Sequence, residues 1–190
     1  MRNSIKKIGG VAIFALLFME GLTQAQTREH ADASIAIRLA APPSVVFPLF
    51  GPVREGEWSP HWNPKFLFPA EKSQVAGAAF TTREDEGEAV WVLDIYDEAT
   101  LRITYVIVLP GVCVARLEIA LKPGANNTTE ASVTHHFTAL SEAGDKYVKE
   151  NAKSFPDERE HWEHAMNHRL AELKNDGQHD AAPSAGKSQN

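Results

Sequence analysis

Three histidines, His161, His164 and His168, recur at spacings of three and four in the last quarter of the chain. Such spacing sets imidazoles on one face of a helix and raises the question of a metal site. The same stretch carries Trp162, Met166, Leu170 and Leu173 at spacings of four, four and three, which is an apolar helical stripe. At about 100° per residue the histidines centre roughly 170° from that stripe, so they are predicted to face solvent, and no metal is expected. His135 stands in a different context, between Val133 and Phe137 in a segment of alternating character. An imidazole on an apolar face is either satisfied by a core partner, in contact with a ligand, or available as a general acid or base. His136, its neighbour, points to the opposite face of a strand, so the two cannot share one metal. Tyr105 is the other polar side chain expected on the inner face, where its hydroxyl could donate to a developing oxyanion. Cys113, the single cysteine, excludes an internal disulfide. Its setting, Val112-Cys113-Val114-Ala115, has no flanking cation to lower the thiol pKa, so it reads as a small buried hydrophobe. Trp58, His61 and Trp62 fall in a proline-rich aromatic stretch, residues 56–70, whose indoles suit either packing or a wet cavity mouth. No phosphate-binding glycine loop, Gly-x-Ser-x-Gly elbow or His-Glu-x-x-His occurs.

The elements that must position these groups follow from periodicity. Ile35, Ile37 and Leu39 alternate, giving a first strand near residues 33–40 that Pro42-Pro43 ends. Ser44 to Phe50 has helical spacing, and a second short helical turn follows Gly51-Pro52. From 78 to 139 runs of strand character are separated by turn signals, giving strands at 78–84, 88–96, 100–109, 112–122 and 129–139 joined as hairpins. The charges assign the faces. Trp91, Leu93 and Ile95 are expected inside with Val90, Val92 and Tyr96 outside; Leu101, Ile103, Tyr105 and Ile107, then Leu117, Ile119 and Leu121, then Val133, His135 and Phe137 complete the inner surface. After Gly144 the chain turns helical, and Ser154-Phe155-Pro156-Asp157, with the layout of a helix start, predicts the main helix at about 155–174. Its apolar stripe needs a surface, and the inner sheet face is the one large enough.

Arg2, Lys6 and Lys7 precede the apolar run Ile8–Met19, with small residues at Thr23 and Ala25. This is a signal-peptide layout, too short to span a bilayer as a helix, and it predicts a leader at 1–25, a linker at 26–32, a domain at 33–174 and a disordered tail at 175–190. Periplasmic or secreted localisation and no stable membrane span after cleavage are the expectation. Loss of the leader removes three cations and one anion and takes the formal charge from −6 to −8. An acidic mature chain without a basic run argues against nucleic acid.

One strand, two short helices, a six-stranded antiparallel run and a terminal helix form an α+β order that resembles the helix-grip fold of the SRPBCC superfamily. This START-like group includes polyketide cyclase/dehydrase-like and lipid-transport-like proteins and the birch-pollen allergen family. The resemblance covers residues 33–174 and rests on Ala41-Pro42-Pro43-Ser44-Val45-Val46-Phe47, Trp58-Ser59-Pro60-His61-Trp62-Asn63-Pro64, and Thr138-Ala139-Leu140-Ser141-Glu142-Ala143-Gly144 with Trp162. It implies a curved sheet wrapped around a long C-terminal helix and an apolar cavity between them.

The reading favoured by these residues is an exported, non-enzymatic protein that holds a small hydrophobic molecule, a lipid, sterol-like or aromatic metabolite, and needs no cofactor. The residues expected to contact it are Trp58, His61, Trp62, Trp91, Leu93, Ile103, Tyr105, Leu117, Ile119, His135, Phe137, Trp162 and Met166. Two alternatives stay open: a cyclase, hydratase or isomerase using His135 with Tyr105, which requires both to converge on one void, and a packed structural or stress-associated protein without ligand. Oligomeric state is not legible in the residues.

Overall fold

The computed structural model describes residues 27–180. The leader expected at 1–25 and the end of the tail, 181–190, lie outside the described residues. In chain order the elements are β1 (His30–Leu39), α1 (Pro43–Val46) running into a 3-10 turn (Phe47–Phe50), a second 3-10 turn (Glu55–Glu57), β2 (Lys65–Phe68), β3 (Ala79–Glu84), β4 (Gly87–Asp97), β5 (Arg102–Leu109), β6 (Cys113–Pro123), β7 (Thr129–Ala139), α2 (Glu142–Ser154), a 3-10 turn (Phe155–Glu158) and α3 (Arg159–Asp180). All strands form one curved antiparallel sheet in the order β1-β7-β6-β5-β4-β3-β2. Hairpin connections between β2 and β7 account for five of these pairings, and β1 closes onto β7 to complete the sheet.

The inner face follows the alternation of the sequence. Ile35, Ile37 and Leu39 on β1, Leu117, Ile119 and Leu121 on β6 and Val133 on β7 are all buried. The exception is β4. A bulge lies between Leu93 and Ile95, where Leu93 pairs with Tyr105 but Ile95 pairs with Thr104. One inserted residue reverses the facing of everything beyond it. Ile95, expected inside, is therefore exposed, while Tyr96, expected outside, turns in to meet the Phe47 ring at 4.8 Å.

The helical arm also departs from expectation. The Ser141 hydroxyl accepts from the Gly144 amide at 3.0 Å and caps a helix that starts at Glu142, well before 155. Pro156 then marks an interruption, not a beginning. It lacks an N–H and its ring conflicts with the carbonyl four residues earlier, so the arm tightens into the 3-10 turn before continuing as α3. At the other end α3 runs through residues 175–180, which had read as tail. Extending an anchored helix fixes one residue per added hydrogen bond, so a segment of modest propensity can follow it. Among the described residues no helix is long and apolar enough to cross a membrane.

Two polar anchors fix the arm to the edge strand. The Asp145 carboxylate accepts from the Glu29 amide at 2.8 Å and from Arg28 at 3.0 Å. Further along, the Asn167 amide accepts from the Ala40 N–H at 2.8 Å and donates to the Arg38 carbonyl at 2.9 Å, and Glu163 accepts from the Arg38 N–H. Glu163 and Asn167 thereby occupy the Arg38 N–H and C=O of β1, groups that an edge strand otherwise leaves open to pairing with another chain.

Gly144 lets the first turn of α2 sit directly on the β5–β6 turn: a Cβ there would lie inside the envelope of the Val112 carbonyl oxygen, whose lone pair already accepts from Leu140 N–H. Gly144→Ala is expected to lower stability by about 2 kcal/mol or more through overpacking against backbone, and Ser141→Ala by about 1 kcal/mol through loss of the cap. Urea unfolding midpoints of the two variants check this ordering.

Candidate functional site

The inner face is filled unevenly. One cross-strand row runs Ala33, His135, Leu117, Tyr105 and Leu93; the next towards the β5–β6 turn runs Ala31, Phe137, Ala115, Ile107 and Trp91. Beyond it Cys113 pairs with Leu109 and Ala139, and Ala89 lies on β4. Where the floor offers Leu, Ile and Tyr, the arm packs onto it: Met166 is fully buried and Leu170 nearly so. Where it offers Ala89, Cys113 and Ala115, the short side chains fail to reach the arm and a cavity of about 250 Å³ remains. Its walls are Trp91, Ile107, Leu109, Phe137 and His135. Its roof is the end of α2 and the 3-10 turn, with Tyr147, Asn151, Ser154, Phe155 and Glu158, and Glu84 stands at the β3 side.

His135 is held by aromatic contacts. Its ring stacks on Phe137 at 4.9 Å and 3° and meets the edge of Phe155 at 4.7 Å, and Phe155 continues to Trp162 and Trp58. Among the described residues its Nδ1 is buried with no hydrogen-bond partner. Burial, and secondarily the neighbouring His136, lower its pKa to about 4, so the imidazole is neutral near pH 7. A neutral ring with an unpaired nitrogen at a cavity wall can accept or donate one further hydrogen bond. Cys113 is an inert part of the floor, its thiol pushed up to about 11 by burial and then by Glu86.

Of the other residues singled out in the sequence, Trp91 lines this cavity, its indole N–H donating to Thr82 Oγ1 at 2.8 Å while Thr82 donates to Glu84 at 2.5 Å. His61 and Trp62 lie instead in a neighbouring, larger pocket of about 520 Å³ that shares Glu84 and Trp91 with the cavity. Trp58 and Trp62 also pin the short helices, donating to the Leu49 and Pro52 carbonyls at 2.7 and 2.8 Å. Leu93, Ile103, Leu117, Ile119 and Met166 are close-packed core and do not border the cavity; Trp162 sits behind Phe155. Tyr105 is buried and spends its hydroxyl on the Phe50 carbonyl at 2.8 Å, behind Trp91, so the structure does not bring it together with His135 on one void. His161, His164 and His168 are exposed on α3, and no group of three potential metal ligands occurs among the described residues.

Sequence reasoning missed the roof. Tyr147, Asn151 and Ser154 belong to α2, a stretch that reads as helical after Gly144 but to which no face was assigned, and the small floor residues carry no chemical signature. It also missed Glu55, in the second 3-10 turn. This residue is half-buried, and burial raises its pKa to about 8. The Glu55 charge adds to the burial that lifts the Tyr105 phenol.

These two groups bend the pH dependence in opposite senses. The unfolded chain protonates His135 below about 6.5 while the folded chain resists until about 4, so stability falls as pH drops through that window, by about 3 kcal/mol in all. Glu55 ionises above about 4.5 when unfolded but only near 8 when folded, so its contribution to stability is lost as pH rises across that range. His135→Phe is expected to flatten the acid limb and Glu55→Gln the alkaline limb of a plot of unfolding free energy against pH.

Comparison with solved structures places this architecture. The chain is similar to norcoclaurine synthase from Thalictrum flavum, with 10% identity over 90% of this chain and 98% of that one and a TM-score of 0.58. It is similar to XoxI from Bacillus cereus, with 17% identity over 76% and 98% and a TM-score of 0.57, and to Ara h 8.0201, with 15% identity over 75% and 99% and a TM-score of 0.54. No protein-family model and no curated protein matches the sequence. At 10–17% identity this likeness is one of architecture, a curved antiparallel sheet with a long C-terminal helical arm, and the chain has the helix-grip fold.

Proposed function

We propose that the protein is a binder of a small, mainly apolar molecule, held in the cavity over Ala89, Cys113 and Ala115 with one polar atom bonded to His135 Nδ1. The observation that carries this reading is the orphaned nitrogen: leaving a buried imidazole nitrogen unbonded costs on the order of 1–3 kcal/mol, and an occupant with a hydroxyl or amine removes that cost. Size narrows the guest. A cavity of roughly 150 Å³ takes a benzene ring, and the about 250 Å³ here suits one or two rings in place of a sterol or a diacyl lipid. The helix-grip neighbours are consistent with ligand binding as the use of this interior. A non-catalytic role is favoured because Tyr105, the acid–base companion the sequence offered, is engaged elsewhere.

The floor supplies the test. Ala115→Leu adds three carbons to the cavity floor and leaves the strand pairing intact. It is expected to weaken 2-naphthol binding, followed by isothermal titration, at least tenfold without lowering the melting temperature; unchanged affinity would place the guest elsewhere.

Export is a further part of the proposal, supported by the charged, apolar and small-residue order of residues 1–25. Intact mass of the chain recovered from the periplasm of a bacterial host is expected to correspond to a start at Gln26.

A further inference from the structure

We infer that a second copy of this chain seats on the outer face of the sheet, over β2 to β5, across a two-fold axis. This surface lies on the side of the sheet away from the cavity, and the inference stands apart from the identity of any guest.

The outer face divides into two halves. One cross-strand row begins with Phe68, Ala79, Val92 and Val106 and continues beyond β5 as Arg116, His136 and Asp32. The row beside it carries Val90, Val108 and Val114. A sheet with one wet face places polar side chains there; the charged end of the first row obeys this rule and the valine end does not. Two bulges enlarge the apolar half. The irregularity between Phe66 and Phe68 leaves Phe66 against the Phe80 ring at 5.6 Å but Leu67 and Phe68 61% and 63% exposed. The bulge in β4 adds the exposed Ile95. Leu67 and Phe68 thus project at the sheet edge, and the half-buried Val90, Val106 and Val108 form a low floor beside them. A two-fold rotation sets the projecting pair of each copy on the valine floor of the other, so one contact covers both.

The rim selects a copy as the occupant. Exposed residues of both signs border the patch, Lys65, Lys72 and Arg83 with Glu71, Glu88 and Asp94. A balanced rim favours neither a strongly acidic nor a strongly basic partner, and an anionic lipid surface gains nothing from it. Copies of a chain with a formal charge of −6 repel at a distance, and a locally neutral, apolar patch is where they approach at least cost. Five strands about 4.8 Å apart, over about six residues at about 3.3 Å each, give the patch roughly 400 Å² in plan. A standard interface takes roughly 800 Å² from each partner as an apolar centre inside a polar rim, which is the layout of patch and border here.

The test is sedimentation equilibrium of the chain recovered from the periplasm of a bacterial host, over a concentration series reaching tens of micromolar. Twice the monomer mass is expected at the upper end and the monomer on dilution. Leu67→Ser/Phe68→Ser removes the projecting pair, and Val92→Lys puts a charge on the floor. Each is expected to weaken association at least tenfold while the melting temperature, read at a dilution where the unaltered chain is monomeric, stays the same. Added salt is expected to strengthen association by screening the repulsion between acidic copies; weakening by salt would assign the contact to ion pairs and overturn the apolar seat. A chain that is monomeric throughout the series overturns the inference, as does a dimer that survives both substitutions. A monomeric chain that co-sediments with phosphatidylcholine vesicles, and ceases to do so in Leu67→Ser/Phe68→Ser, gives the face to a lipid surface and likewise overturns it. Should Val92→Lys unfold, the substitutions at the largely exposed 67 and 68 decide alone.

Discussion

The fixed distance between arm and sheet governs the rest of the molecule. Asp145 at the first turn of α2 and Asn167 midway along α3 both bond to backbone groups on the β1 side, at Glu29 and at Arg38 and Ala40. With both ends tied, the arm cannot settle onto whatever lies beneath its middle. Large inner side chains meet it and form a dry core under α3. Short ones leave a gap under the 3-10 turn. Nothing in the local propensity of Ala115 or Cys113 makes a cavity; it arises because the standoff is set elsewhere, by hydrogen bonds that a floor substitution does not touch.

The same division separates the polar groups of the interior. Tyr105 and His135 lie in one cross-strand row, with Leu117 between them. The tyrosine reaches a carbonyl freed by the short helices and becomes structural. The histidine lies where the arm stands off and finds aromatic faces but no partner for Nδ1. A place on the inner face therefore does not by itself distinguish a core residue from a site residue; what decides is whether the protein itself completes the hydrogen bonding. Glu55 shows the opposite case, a half-buried carboxyl that burial makes harder to ionise, beside a salt-bridged neighbour, Glu57, held with Arg54 and Arg169.

Much of the fold was legible because an antiparallel sheet with one wet face writes its orientation into alternating charges. Strands β3 and β5 to β7 fall within about two residues of where Arg102, Arg116, Glu118 and the turn pairs put them. The reading failed where a local event broke the period. At Asp94 a single bulged residue inverted Ile95 and Tyr96, and no side-chain pattern announces it. At Ser154-Phe155-Pro156-Asp157 a genuine cap-like sequence sits inside an arm, because proline tolerates a first turn and a kink equally well. His135 and Trp91 stood out as site residues by type. The floor did not, since small residues signal only in relation to the larger ones on neighbouring strands, and the roof was lost because the helical stretch after Gly144 carried no assigned face.

Because the floor consists of three small side chains on strands whose ladder bonds are indifferent to them, the interior can be re-tailored one methyl at a time. A lineage bearing this fold could shrink, deepen or abolish its guest chamber by drift at Ala89, Cys113 and Ala115 alone, with the scaffold carried along unaltered. Divergence of appetite is thereby uncoupled from divergence of architecture.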